Sequence, residues 1–471
     1  MSTYSSKKRL VISPRNFCFW NEWGSFRPMR EISQEKFDAF AGFCRQPTSV
    51  LFGQEVAWFE SKSRSVFALL MLDTDEEFSG ILFARDLASR FRWVKQTAYY
   101  TSSADALAEL RRLMRQVEAD IEEERVQGDE ADPVDFFAPV VKEQRFHERF
   151  QHLAFGEGFA AARELINVMM CWYENQDGNY IEQFQTTGFD ARIWELYLFA
   201  MLVESRYAVS QPSPAPDFLA RGLGGTFFIE ATTINPSIIN GKPATSQKPE
   251  SVEEIADYVQ NYLPIRFAGP LSAKLEKRYW ESLEVADAPL VIAIQDFHDE
   301  FSMTYSGQSL LRYLYGVEFL EVQNDQGVEI VSRPVTHHLW KGKKIASGFF
   351  SLPDAPNISA VLFNASGTLA KFNRMGVKVA FGRPGVTLIH SGIRVSSDGR
   401  LEETFSNEVN EGYEEAWIDG MEVYHNPAAT HPLNPDLLPG ARHHFQTDSG
   451  FESWTPVGHL VTSRTAVVTT R

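Results

Sequence analysis

The sequence predicts an α/β protein. A core of buried helices and strands is read between an N-terminal α+β region and a C-terminal β-rich extension. Three observations carry this. Phe189 to Val203 is almost wholly apolar at helical length, the mark of a helix buried on most sides. Two runs suited to strands follow, Tyr207 to Val209 and, after a Gly224-Gly225 turn, Thr226 to Ile229. A further apolar run, Pro289 to Phe297, comes after a helical segment read at about Leu271 to Ser282. The domains are read as 1–127 (α+β), 128–187 (helical connector), 188–370 (core) and 371–471 (extension).

From Leu51 to Thr97 apolar runs alternate with turn signals. Val56–Glu60, Val66–Leu72, Phe78–Arg85 and Phe91–Thr97 read as an antiparallel meander, with Asp73-Thr74-Asp75 as one turn. Ser102 or Ser103 can start the next helix, whose Ala106, Leu107, Leu110, Leu113, Met114, Val117 and Ile121 recur at threes and fours. The acidic run Gly128 to Pro133 reads as a linker, and another helix is read at about Gly158 to Tyr173. Past the central stretch, Ser251 and Glu254 have capping-box spacing for a helix to about Tyr262. The polar loop before it carries Lys242 and Lys248.

In the central helix, which Thr187 or Asp190 can cap, Glu195 is the only charge between Ile193 and Val203. A buried carboxylate is costly unless a cation, hydrogen bonds or a metal compensates it. Arg192, three residues back on the same face, is one such partner. Pro216-Asp217-Phe218 precedes the glycine turn, and Glu230-Ala231-Thr232 ends the strand run. If the two segments pair, the carboxylates of Asp217 and Glu230 meet, and two close charges of one sign need a cation. Magnesium suits them, being hard and content with one or two carboxylates plus water and phosphate oxygens. Each acid also has a plainer reading: Asp217 as a turn residue, Glu230 as a strand end.

Helix acid, then Pro-Asp, then Glu-x-Lys on the next strand is the order found in the PD-(D/E)XK nuclease superfamily. The segment Gly188 to His298 resembles it, with Glu195, Pro216-Asp217 and Glu230-Ala231-Thr232 at the matching positions. The resemblance implies a restriction-endonuclease-like αβββαβ core and hydrolysis of phosphodiester bonds in DNA with Mg2+ or Mn2+. It casts Asp217 and Glu230 as metal ligands, with Glu195 assisting. The family's lysine is Thr232 here, which can hydrogen-bond a water but carries no charge. Lys274 or Lys277 could supply that charge; together with Arg278 they read as one helix face, which is also what a solvated basic surface looks like. Gln295 and Asp296 end the fourth strand and are candidate neighbours of the site. The alternative function is a catalytically inactive relative that binds nucleic acid or a protein partner. A structural domain with an inert acid cluster is a third reading.

The bulk properties bound these readings. A net charge of −17 favours solubility and works against tight, indiscriminate binding of a polyanion. No run of 18 apolar residues suggests a membrane span, and the start, with Lys7, Lys8 and Arg9, lacks the apolar run of a signal peptide. Cys18, Cys44 and Cys171 are odd in number and far apart, which fits reduced thiols and a cytoplasmic protein. Lys371 and Arg374 read as turn charges that phosphates could meet. His425, His431, His443, His444 and His459 crowd the last hundred residues without a nearby cysteine, so a structural zinc site is a minor reading. No Walker motif or serine elbow competes.

Overall fold

The computed structural model describes residues 29–470, apart from 129–133, 174–177, 237, 240–241, 244–248, 300–301, 325–326, 400 and 449. Cys18, the Lys7-Lys8-Arg9 start, most of the acidic run after Gly128, Lys248 and the Lys242 side chain lie outside this described part. The chain divides into two compact units. One takes the residues up to Phe37 and Ser49–Asp132; the other takes Asp38–Thr48 and the chain from Pro133 onward.

The first unit is an antiparallel sheet of five strands in sequential order: β1 (Met29–Ile32), β2 (Gly53–Ser61), β3 (Val66–Asp73), β4 (Phe78–Arg85) and β5 (Phe91–Gln96). All four expected runs are strands. β1 escapes sequence reading because four residues carry too short a pattern. Helix α1 (Ser103–Ala119) is capped by Ser102, whose hydroxyl accepts from the Asp105 amide at 3.4 Å. Ala106, Leu110, Leu113, Met114 and Val117 form its buried stripe and pack with Val66, Ala68, Leu70 and Leu82 of the sheet.

The second unit is built on a mixed sheet. Its parts include α2 (Ala160–Met170), α3 (Phe189–Glu204), β6 (Ala208–Ser210), β7 (Phe218–Gly222), β8 (Gly225–Ile234), α4 (Leu263–Leu275), β9 (Leu290–Asp296), α5 (Ser302–Tyr315) and β10 (Ala360–Phe363). Then come α6 (Leu369–Lys378), β11 (Val386–Val395), β12 (Glu402–Val409), β13 (Glu422–His425), β14 (Arg442–Thr447), β15 (Gly450–Trp454) and β16 (Leu460–Thr469). The sheet has eight strands in the order β15-β14-β13-β10-β9-β8-β7-β6. β6, β7 and β8 form an antiparallel meander, and β8, β9 and β10 run parallel. β11, β12 and β16 make a separate three-stranded sheet.

The two faces of β8 explain what covers the sheet. Phe227, Ile229 and Ala231 pack with Val291, Ala293 and the α3 side chains. Phe228 and Ile234 pack with Ile292, Ile294 and the α4 side chains Leu263, Phe267, Leu271 and Leu275. That alternation is the period of a strand buried on both sides. α3 has no polar stripe because it is enclosed, and the Trp194 indole donates to the Ala293 carbonyl of β9 at 3.1 Å.

Two expectations need correction here. Helix α4 starts well before Leu271 and runs through Pro270. A proline interior to a helix costs about 3 kcal/mol, but the four buried residues at every fourth position more than offset it. Lys371 and Arg374 are not turn charges. Both lie buried on α6, ion-paired to the buried Glu415, with Arg374 bidentate at 2.7 and 2.8 Å. Burial opposes ionisation of Glu415, yet Arg374 and Lys371 hold its carboxyl at about 2. Glu415→Ala strands two buried cations and is expected to cost about 3–5 kcal/mol. Urea unfolding of the full chain measures it; a loss below 1 kcal/mol (roughly the surface-pair range) would contradict the pairing.

The segments expected as core and extension share one sheet, because β13, β14 and β15 continue it beyond β10. Neither Cys44 nor Cys171 is in a disulfide among the described residues. No helix among them is long and apolar enough to cross a membrane.

Candidate functional site

β7 and β8 pair from Gly222–Gly225 back to Phe218–Ile229. Beyond that last pair a side chain continues the ladder. The Ala231 amide donates to Asp217 Oδ2 at 2.7 Å, and the Asp217 amide donates to Glu230 Oε2 at 3.2 Å. The Pro216-Asp217 segment therefore brings its carboxylate to the edge of β8 beside Glu230. Glu230 is buried, and on its other oxygen, Oε1, it accepts from the Lys274 ammonium and from the Tyr279 hydroxyl, the latter at 2.6 Å. Lys274 comes from the last turn of α4. Of the two lysines read as substitutes for the missing strand lysine, this one stands on the acid.

Lys277 does not. α4 ends at Leu275, Lys277 is exposed, and Arg278 adopts φ 53°. That left-handed turn reverses the chain and returns Tyr279 to Glu230. Lys274, Lys277 and Arg278 thus do not share a helix face, and Arg278 pairs instead with Glu281 at 3.1 Å on the surface. Thr232 lies half buried on β8, two residues from Glu230 and on the same face.

Glu195 approaches from α3, on the opposite face of the sheet from α4. Its Oε2 accepts from Arg192 at 2.6 Å and from the Tyr173 hydroxyl at 3.0 Å. Burial raises its pKa, against the lowering pull of Arg192, Tyr173 and Lys274. Asp217 is more strongly perturbed. Burial first, then the negative charges of Glu230 and Glu195, push its carboxyl up to about 8 against the opposing pull of Lys274 and the Ala231 amide. The three acids therefore lie within electrostatic reach of one another, with Asp217 the least compensated. Glu195 has Arg192, Glu230 has Lys274, and among the described residues the Asp217 carboxylate accepts a hydrogen bond only from the backbone.

Gln295 and Asp296 serve elsewhere. β9 lies beside β8 with Ile292 opposite Glu230, so both residues sit further toward the carboxyl end of the strand. Gln295 donates to the Asn364 carbonyl, while Asp296 binds the His298 Nδ1 at 2.6 Å and the Ser306 hydroxyl at 2.7 Å. Four of the five C-terminal histidines named above are buried in pairs: His425 Nε2 lies 2.9 Å from His443 Nδ1, and His444 and His459 flank Glu422 at 3.7 and 3.8 Å.

Among the described residues, no group of three or more His, Cys, Asp or Glu side chains is arranged to hold a metal ion. The acid site is accordingly a pair with a third carboxylate nearby. Asp217 and Glu230 offer hard oxygen donors side by side, with the Asp217 carboxyl raised first by burial and then by the two neighbouring acids. Such a donor set fits a magnesium-like cation that takes its remaining ligands from water or phosphate oxygens. Sequence reasoning missed Tyr173 and Tyr279. No spacing signal announces either, since one closes across two helices and the other depends on the Arg278 turn. No protein-family model, curated protein or solved structure matches this chain.

Proposed function

We propose that this chain hydrolyses phosphodiester bonds of DNA at the Asp217–Glu230 pair, whose carboxylates would hold Mg2+ or Mn2+. The observation that carries the reading is Lys274. It delivers a positive charge from α4 to Glu230, supplying what Thr232 cannot on the strand. The order of α3, the β6–β8 meander, α4 and β9 supports a restriction-endonuclease-like core.

In this reading Asp217 and Glu230 would hold the cation, which would supply Lewis-acid polarisation of a phosphate. The Lys274 ammonium, held on Glu230, would stabilise negative charge developing on the phosphate. The Tyr279 hydroxyl and the Ala231 amide fix the two carboxylates. Arg192 and Tyr173 hold Glu195 as a nearby negative charge that strengthens cation binding. The engagement of Glu195 by its own partners favours the second reading, a relative that binds nucleic acid without cutting it.

A cation that binds only the native state raises stability by RT ln(1 + [L]/Kd), about 2.7 kcal/mol at a hundredfold excess over Kd. Thermal melts of the wild type are therefore expected to shift upward with magnesium or manganese. The shift should vanish in Asp217→Asn with Glu230→Gln. An equal shift in that double variant would place the cation elsewhere.

A further inference from the structure

We propose that the hairpin formed by strands His337–Trp340 and Lys343–Ala346 is a docking element for the phosphate backbone of duplex DNA. This deepens the reading of the acid site and rests on it for the choice of partner. The strands pair with Trp340 opposite Lys343 and Leu339 opposite Lys344. They are joined by Lys341-Gly342, both at positive φ (44° and 83°), the conformation of a tight two-residue hairpin turn. Three lysines thus fall within four residues of an exposed tip. Lys343 and Lys344 form no ion pair among the described residues, in a chain whose acids outnumber its lysines and arginines 62 to 45.

The tip is mounted rigidly. Trp340 packs on the Tyr262 ring at 5.2 Å, and the Lys341 ammonium lies 5.7 Å from the Trp340 centroid. Arg266 lies over the same tyrosine at 6.0 Å, adding a fourth cation beside the hairpin. Behind the tip, His338 is buried, with Nδ1 2.8 Å from the Gln260 carbonyl and Nε2 2.8 Å from Ser347 Oγ. Burial lowers its pKa to about 4, so it stays neutral and serves as an anchor. The Asn261 side chain accepts from the Leu339 amide at 3.2 Å.

The helix that carries Tyr262 at its start carries Lys274 near its end. At 1.5 Å per residue they stand about 18 Å apart along α4, roughly half a turn of duplex DNA. A two-stranded ribbon is narrow enough for the major groove, and lysines flanking an aromatic suit phosphate contact.

The test is binding of a fluorescent 20-base-pair duplex by the full chain, read by anisotropy in EDTA across a sodium chloride series. The variants are Lys343→Glu with Lys344→Glu, Trp340→Ala, and Lys142→Glu as a charge control on an exposed lysine of the same unit. The double variant should bind at least tenfold more weakly, with its log–log salt slope reduced by about 2, near 0.9 per lost phosphate contact. The control should bind as wild type does. Equal loss in the control would reduce the effect to net charge and overturn the proposal, as would no binding by wild type. Preference for a single strand of the same length would overturn the choice of duplex. Melting of the wild type with and without manganese separates the two claims: a manganese shift without duplex binding would overturn the docking alone, and duplex binding in EDTA without a manganese shift would overturn the acid site alone.

Discussion

Lys274→Met is expected to cut manganese-supported DNA cleavage by about a hundredfold or more while leaving the fold intact. A positive charge beside a reacting phosphate is worth a few kcal/mol of barrier, and each 1.36 kcal/mol is about tenfold in rate. Lys274 is the cation that meets Glu230, whereas Lys277 lies exposed past the end of α4. Lys277→Met should therefore change cleavage little. Equal losses in the two variants would point to general substrate attraction rather than a local charge. Thr232→Lys is the complementary change, since it places an ammonium on the same face of β8 as Glu230. In an inactive natural chain it should create activity. In an active one it crowds Lys274 and should yield no gain.

Asp217→Asn is expected to stabilise the cation-free protein at alkaline pH. The Asp217 carboxyl is raised from 3.8 to about 8, chiefly by burial and then by Glu230 and Glu195. A group raised in the folded state binds its proton more tightly there than in the unfolded chain. Its contribution is complete below about pH 4 and is lost as pH climbs through 8. At 1.36 kcal/mol per unit the loss is bounded at about 6 kcal/mol, and a few kcal/mol is the expected size. Glu204, raised to about 7 mainly by its burial, falls in the same window. The difference between wild type and Asp217→Asn isolates the site from it. Urea unfolding in EDTA at pH 5, 7 and 9 should show the two proteins diverging as pH rises. Parallel curves would mean that Asp217 is not the strained acid.

The parts of this site legible in the sequence are those fixed by local pattern. An apolar run with one charge marks α3 and Glu195, and Pro-Asp before a glycine turn marks the start of β7. The β-branched run ending in Glu230 marks β8. Even Lys274 is legible as a candidate, because the absence of a strand lysine directs attention to the next helix. What stayed hidden depends on distant partners. β13 and β14 join the same sheet as β8 only through β10 and β9, and no local signal in their histidine-rich sequence says so. Lys371 and Arg374 look like surface charges until Glu415, some forty residues away, buries with them. Tyr279 reaches Glu230 only because Arg278 accepts a left-handed backbone. Proline at 270 conceals the first half of α4 from any rule that ends helices at prolines.

The most direct test of the central claim is cleavage of single- and double-stranded DNA with manganese by wild type and by Glu230→Gln. Glu230 is where the Asp217 backbone, Lys274 and Tyr279 all converge. The expected result is cleavage by wild type that falls to background in Glu230→Gln, with both proteins equally folded by circular dichroism. Cleavage that persists in Glu230→Gln, or none by wild type at any manganese concentration, would contradict the assignment.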